Sequence, residues 1–74
     1  MPQRTIETIE SALDAGRLFI RVKGAKRPWR ARRNGATKVW KTRPNDFRIP
    51  IKYGFKGYGA ITHQNLDSEE IVIE

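Results

Sequence analysis

Trp29-Arg30-Ala31-Arg32-Arg33-Asn34-Gly35-Ala36-Thr37-Lys38-Val39-Trp40 is the stretch on which the fold turns. Asn-Gly is a preferred pair for a two-residue type I′ hairpin, because both central positions need positive φ. A turn at Asn34-Gly35 sets a register by counting outward. Arg33 then pairs with Ala36, Arg32 with Thr37, Ala31 with Lys38, Arg30 with Val39, and Trp29 with Trp40. That register joins the tryptophans as a cross-strand aromatic pair. Ala31, Arg33 and Lys38 share their face, while Arg30, Arg32, Thr37, Val39 and Lys41 take the other. The reading predicts strands over 29–33 and 36–41.

Upstream, Ile6, Ile9 and Leu13 with Ala12 draw one apolar stripe at helical spacing, and Glu7, Glu10 and Asp14 lie off it. This predicts a helix over 5–15, capped by Thr5 and ended by Gly16. Leu18 to Lys23 alternates, so 18–23 is a strand with one buried face. Downstream, Pro44-Asn45 centres a turn. The segment 47–53 alternates again, with Phe47, Ile49, Ile51 and Tyr53 on one face and Arg48, Pro50 and Lys52 on the other. Pro50 lacks an N–H and points to an edge strand or a bulge. Shorter strands are expected over 60–63 and 71–73. The whole, 1–74, reads as a single α+β domain. Its N-terminal helix packs on a small, strongly curved antiparallel sheet or partly open barrel, SH3-like or OB-like, of about five strands.

Charge is segregated along this chain. Fourteen of its 15 Lys and Arg residues fall between Arg17 and Lys56, where Asp46 is the one acidic residue. Residues 1–16, 17–56 and 57–74 carry −2, +13 and −4, giving the net +7. Ordinary surfaces intersperse the two signs. A field of one sign concentrates polyanions, so nucleic acid is the leading partner. The candidate contacts are Arg30, Arg32, Arg33, Lys38, Lys41, Arg43, Lys52 and Lys56 for phosphates, with Trp29, Trp40 and Tyr58 for stacking on bases. Interleaved aromatics place single strands or RNA slightly ahead of duplex DNA. The competing account of the tryptophans is burial, since a chain of 74 residues needs large side chains inside.

Tyr53-Gly54-Phe55-Lys56-Gly57-Tyr58-Gly59 matches neither a P-loop nor a dinucleotide fingerprint. Its simpler reading is a hairpin loop whose glycines serve the turn and whose aromatics plug the barrel end. His63 stands alone, without cysteine anywhere in the chain, so no metal site is expected. Ser11 and Ser68 have no evident base, so neither catalysis nor a cofactor is expected.

The same basic face would also suit an acidic protein partner, because Arg reads carboxylate as it reads phosphate. This alternative is a small inhibitor or adaptor docking on an acidic surface of a larger protein. The acidic ends, if they meet, would form a negative face, and the segment Ile71–Ile73 offers an edge for weak dimerisation of an otherwise monomeric chain. No apolar run follows Met1-Pro2-Gln3-Arg4, and no stretch approaches a membrane span, so a cytoplasmic setting without membrane contact is expected.

Overall fold

A computed structural model describes residues 4–35, 40–43 and 46–74, with the backbone alone for 40–43. Helix α1 spans Ile6–Asp14 and begins where Thr5 holds an extended backbone. The Thr5 hydroxyl accepts the Thr8 N–H at 3.2 Å, satisfying one of the donors that a helix start leaves open. The other end closes as a Schellman motif around Gly16, whose φ is +74°. Arg17 N–H donates to Ala12 O at 2.8 Å and Gly16 N–H to Leu13 O at 3.3 Å. The predicted stripe of Ile6, Ile9, Ala12 and Leu13 is the buried face.

Six strands follow: β1 (Leu18–Ile20), β2 (Trp29–Arg33), β3 (Trp40–Arg43), β4 (Asp46–Tyr53), β5 (Gly57–Thr62) and β6 (Ile71–Ile73). Every pairing is antiparallel. The rows run β6, β1, β2, β4, β5, and β3 lies on the same edge of β4 as β2. Six strands therefore fill five rows of a curled sheet. No pair joins β5 to β6 among the described residues, and a groove lined by Ile20, Tyr53, Gly59, Ala60 and Ile71 marks that open side. The result is a half-barrel with the helix laid on β1 and β2.

The expected hairpin is replaced by a different pairing. Trp29 stands opposite Ile20 and Trp40 opposite Arg48, so the two tryptophans do not pair. Ala31, Arg32 and Arg33 pair instead with Tyr53, Lys52 and Ile51 of β4. The remaining hairpin partners, residues 36–39, lie outside the described residues. Neither Asn34 nor Gly35 has positive φ, as a type I′ turn requires. Asn34 N–H donates to Pro50 O at 3.1 Å, which carries the β2–β4 ladder one residue further. The competition has a physical winner. A two-stranded ribbon with three arginines on one arm buries little and is marginal alone. Pairing with β4 puts Ala31 into a core shared with Phe47, Ile49 and Ile51.

Pro50 thereby sits in a central strand rather than at an edge. Its carbonyl faces β2, so its missing N–H faces the same side. Arg33 and Trp40 are seven positions apart, while their partners Ile51 and Arg48 are three apart. The return bond to Asn34 O is the ladder bond that the proline forgoes.

Leu18, Ala31, Phe47, Ile49, Ile51, Ile61 and Ile71 complete the core with the helix stripe. Trp29 is not among them. Trp29 is 40% exposed. Its ring lies over Gly54, where an added Cβ would come within 2.7 Å of two ring carbons, and Gly54 has φ +65°. Gly54→Ala therefore meets both left-handed strain and a steric overlap. It is expected to cost about 2 kcal/mol or more, and to red-shift Trp29 emission as the ring is pushed off. Denaturation and fluorescence in a Trp40→Phe background check both effects.

The two chain ends meet. Arg4 N–H donates to Asp67 Oδ1 at 2.8 Å, and its Nη1 donates to Ile71 O at 2.8 Å and Leu66 O at 3.2 Å. Glu74 N–H donates to Arg17 O at 2.9 Å, extending the β1–β6 ladder.

Candidate nucleic-acid interface

Strand alternation divides the basic residues of β2 between two environments. Ala31 is buried, so Trp29 and Arg33, two residues to either side, share its inward face. Arg33 accordingly points to the helix. Its Nε donates to Asp14 Oδ1 at 2.7 Å and its Nη2 to Asp14 Oδ2 at 3.2 Å. Glu10 Oε1 lies 3.8 Å away. The bond to Asp14 raises the Arg33 pKa above its ordinary value against a smaller opposing effect of burial, and the charges of Asp14 and Glu10 add to the rise. This guanidinium, expected to contact phosphate, serves as a clasp between sheet and helix.

Arg30 and Arg32 take the outward face. Arg30 stands opposite Phe19 and reaches toward Gly16. Arg32 stands opposite Lys52 of β4, and Lys52 stands opposite Tyr58 of β5. These three residues form one rung across three strands, and all are exposed. Like charges placed directly opposite destabilise a sheet. Neither Arg32 nor Lys52 meets a carboxylate among the described residues. Arg32 Nη2 donates to Gly54 O at 3.3 Å, which ties the rung to the adjoining turn. Arg48, four residues before Lys52 on the same outward face, is exposed opposite Thr62.

The β4–β5 connection carries the aromatic residues. Tyr53 pairs with Gly57, leaving Gly54-Phe55-Lys56 as a three-residue loop. An added Cβ at Gly57 would lie within 2.7 Å of the Tyr53 carbonyl and ring, so only glycine fits there. Tyr53 is half-buried and its ring centroid lies 6.3 Å from that of Trp29, tilted by 50°. Of the aromatics expected to plug the barrel end, Tyr53 packs against the core, whereas Tyr58 is 68% exposed and Phe55 wholly exposed. Lys56, beside Phe55, is exposed too.

The structure thus brings Arg32, Lys52, Lys56 and Tyr58 together, sets Arg30 further along the outer face, and takes Arg33 away. Lys38 lies outside the described residues. For Trp40, Lys41 and Arg43 the backbone register is known: they stand opposite Arg48, Phe47 and Asp46. Two residues absent from the sequence-based set join it. Arg48 was legible from its alternation with Lys52, but the exposure of Phe55 had no local signal.

His63 is exposed and meets Phe47 edge-on, with ring centroids 6.3 Å apart. No group of three His, Asp or Glu gathers to hold a metal among the described residues, and no helix among them is long and apolar enough to cross a membrane. No family model, curated protein or solved structure matches this chain.

Proposed function

We propose that this chain is a small basic nucleic-acid-binding protein, not an enzyme, and that its ligand lies on the outer face of β2, β4 and β5. The observation that carries this reading is the rung Arg32–Lys52–Tyr58. Two cations are held side by side, with no carboxylate partner among the described residues, at a cost to the sheet, with an exposed aromatic ring next in line. A phosphate backbone relieves that repulsion, and Tyr58 offers a stacking surface for a base. Arg30, Arg48 and Lys56 extend the positive strip along the same surface. Sheet faces bearing aromatics are an established platform for unpaired bases, which favours single strands or RNA over duplex DNA.

Of the two small-barrel types that suit such a chain, the strand order supports the SH3-like one. The rows follow chain order, with β2 and β3 sharing a row and β6 returning to β1. An OB barrel follows a Greek key instead.

The test is titration of fluorescein-labelled single-stranded and duplex oligonucleotides from 50 to 200 mM salt. Micromolar binding that weakens steeply with salt is expected. Absence of salt-sensitive binding at micromolar protein ends the reading, and retention of an acidic protein after nuclease treatment would redirect it to protein docking.

A further inference from the structure

We infer that Phe55 is a base-stacking residue and that the ligand of the outer face is therefore single-stranded nucleic acid; this rests on the nucleic-acid reading above. Phe55 is the central residue of the Gly54–Lys56 turn and is 103% exposed. The other aromatics of this hairpin gain at least partial cover, as Tyr53 does against Gly57 and Trp29. Phe55 gains none, although the turn that carries it is held on both sides. Gly54 lies under the Trp29 ring, with its carbonyl bonded to Arg32, and Gly57 lies under Tyr53. A wholly exposed phenyl group on a braced turn is a surface prepared for a partner with an apolar face.

The surroundings say which partner. Lys56 adjoins Phe55, and Lys52 lies two residue rows back along the same hairpin, with Arg32 opposite it on β2. A purely apolar partner would have to desolvate these cations without return. A nucleotide offers both complements, an anion for the lysines and a π face for the ring. Tyr58 and Phe55 stand about 7–10 Å apart along the hairpin at ~3.4 Å per residue, far enough for each to take its own base. Bases locked in a duplex expose only their edges in the grooves, so the phenyl face discriminates for unpaired ones.

The experiment compares the full chain with Phe55→Ala and Phe55→Trp. Each is titrated at fixed salt with a labelled single-stranded oligonucleotide, with the same oligonucleotide made abasic at alternate positions, and with the matching duplex. Phe55→Ala is expected to weaken single-strand binding about 5- to 150-fold, the range for loss of one stacked base, with the salt slope unchanged. Phe55→Trp should restore it. The loss should shrink on the abasic strand and vanish on the duplex. Because Phe55 has no packing to lose, the melting temperature of Phe55→Ala should match that of the parent. Equal single-strand binding by parent and Phe55→Ala, or an equal loss on single strand and duplex, overturns the inference while leaving salt-dependent binding by the parent intact. A parent chain that binds no oligonucleotide overturns both readings.

Discussion

Replacing Arg32, Lys52 and Lys56 together by alanine is expected to flatten the salt dependence of oligonucleotide binding by about two units of logarithmic slope. Each phosphate contact contributes about 0.7 to that slope for a single strand and about 0.9 for a duplex. Between 50 and 200 mM salt, the parent should consequently lose about 20-fold more affinity than the triple variant. The control lies one residue away. Arg33→Ala removes a charge of the same kind from the same strand, yet should leave the slope unchanged. Its guanidinium is held at 2.7 Å by Asp14 on the helix side. That pair is partly solvated, with 36% of the Arg33 side chain and 62% of the Asp14 side chain exposed. Its loss should therefore cost no more than about 1 kcal/mol of stability. Fluorescence anisotropy at four salt concentrations measures the triple variant, Arg33→Ala and the single variant Arg32→Ala. A slope that drops as much for Arg33→Ala as for Arg32→Ala would place the ligand elsewhere.

The largest stability effect is expected from Ile49→Ala. Ile49 is 0% exposed on the central strand β4, where the inward row Phe47, Ile49 and Ile51 shares the core with the helix stripe. Removing such a side chain costs its transfer free energy and leaves a cavity, about 2–5 kcal/mol in all. A chain of 74 residues has about 4–11 kcal/mol to lose, and no cysteine supplies a disulfide to offset the loss. The melting temperature should drop by about 10 °C or more, and a urea titration should show a lower midpoint at similar steepness. Val72→Ala, at a half-exposed site on β6, should cost well under half as much. Equal losses at the two positions would mean that the core is not centred on β4.

The helix and the sheet differ in how much of them a linear reading reaches. Thr5, the Ile6–Ile9–Leu13 stripe and Gly16 act within one or two turns of each other, so α1 and both its ends were legible. The alternation of β4 was legible for the same reason. The Asn34-Gly35 turn was a local signal too, but it lost to a non-local competitor. β4 offered β2 an unsatisfied edge and a buried place for Ala31, and no local pattern reveals where such an edge will lie. The site inherits this division. That cations would cluster on one surface followed from composition. That Arg32 and Arg33 take opposite faces followed from alternation in either register, but that the face of Arg33 is the one turned to the helix follows from the burial of Ala31 in the core. Phe55 and Tyr53 illustrate it again. Two aromatics of one loop had the same expected role, and only the packing of Tyr53 on Gly57 separates them.

By itself, the sequence determined a basic central segment between acidic ends, a capped helix and a set of short alternating strands. Those properties depend on charge, periodicity and backbone preference, which act over a few residues. The tertiary structure alone decided which edge of β4 accepts β2, that β2 and β3 share one row, and which arginine pairs with the helix. Those outcomes depend on burial and ladder hydrogen bonds between segments about 20 residues apart, whose gain exceeds what one favourable turn can offer.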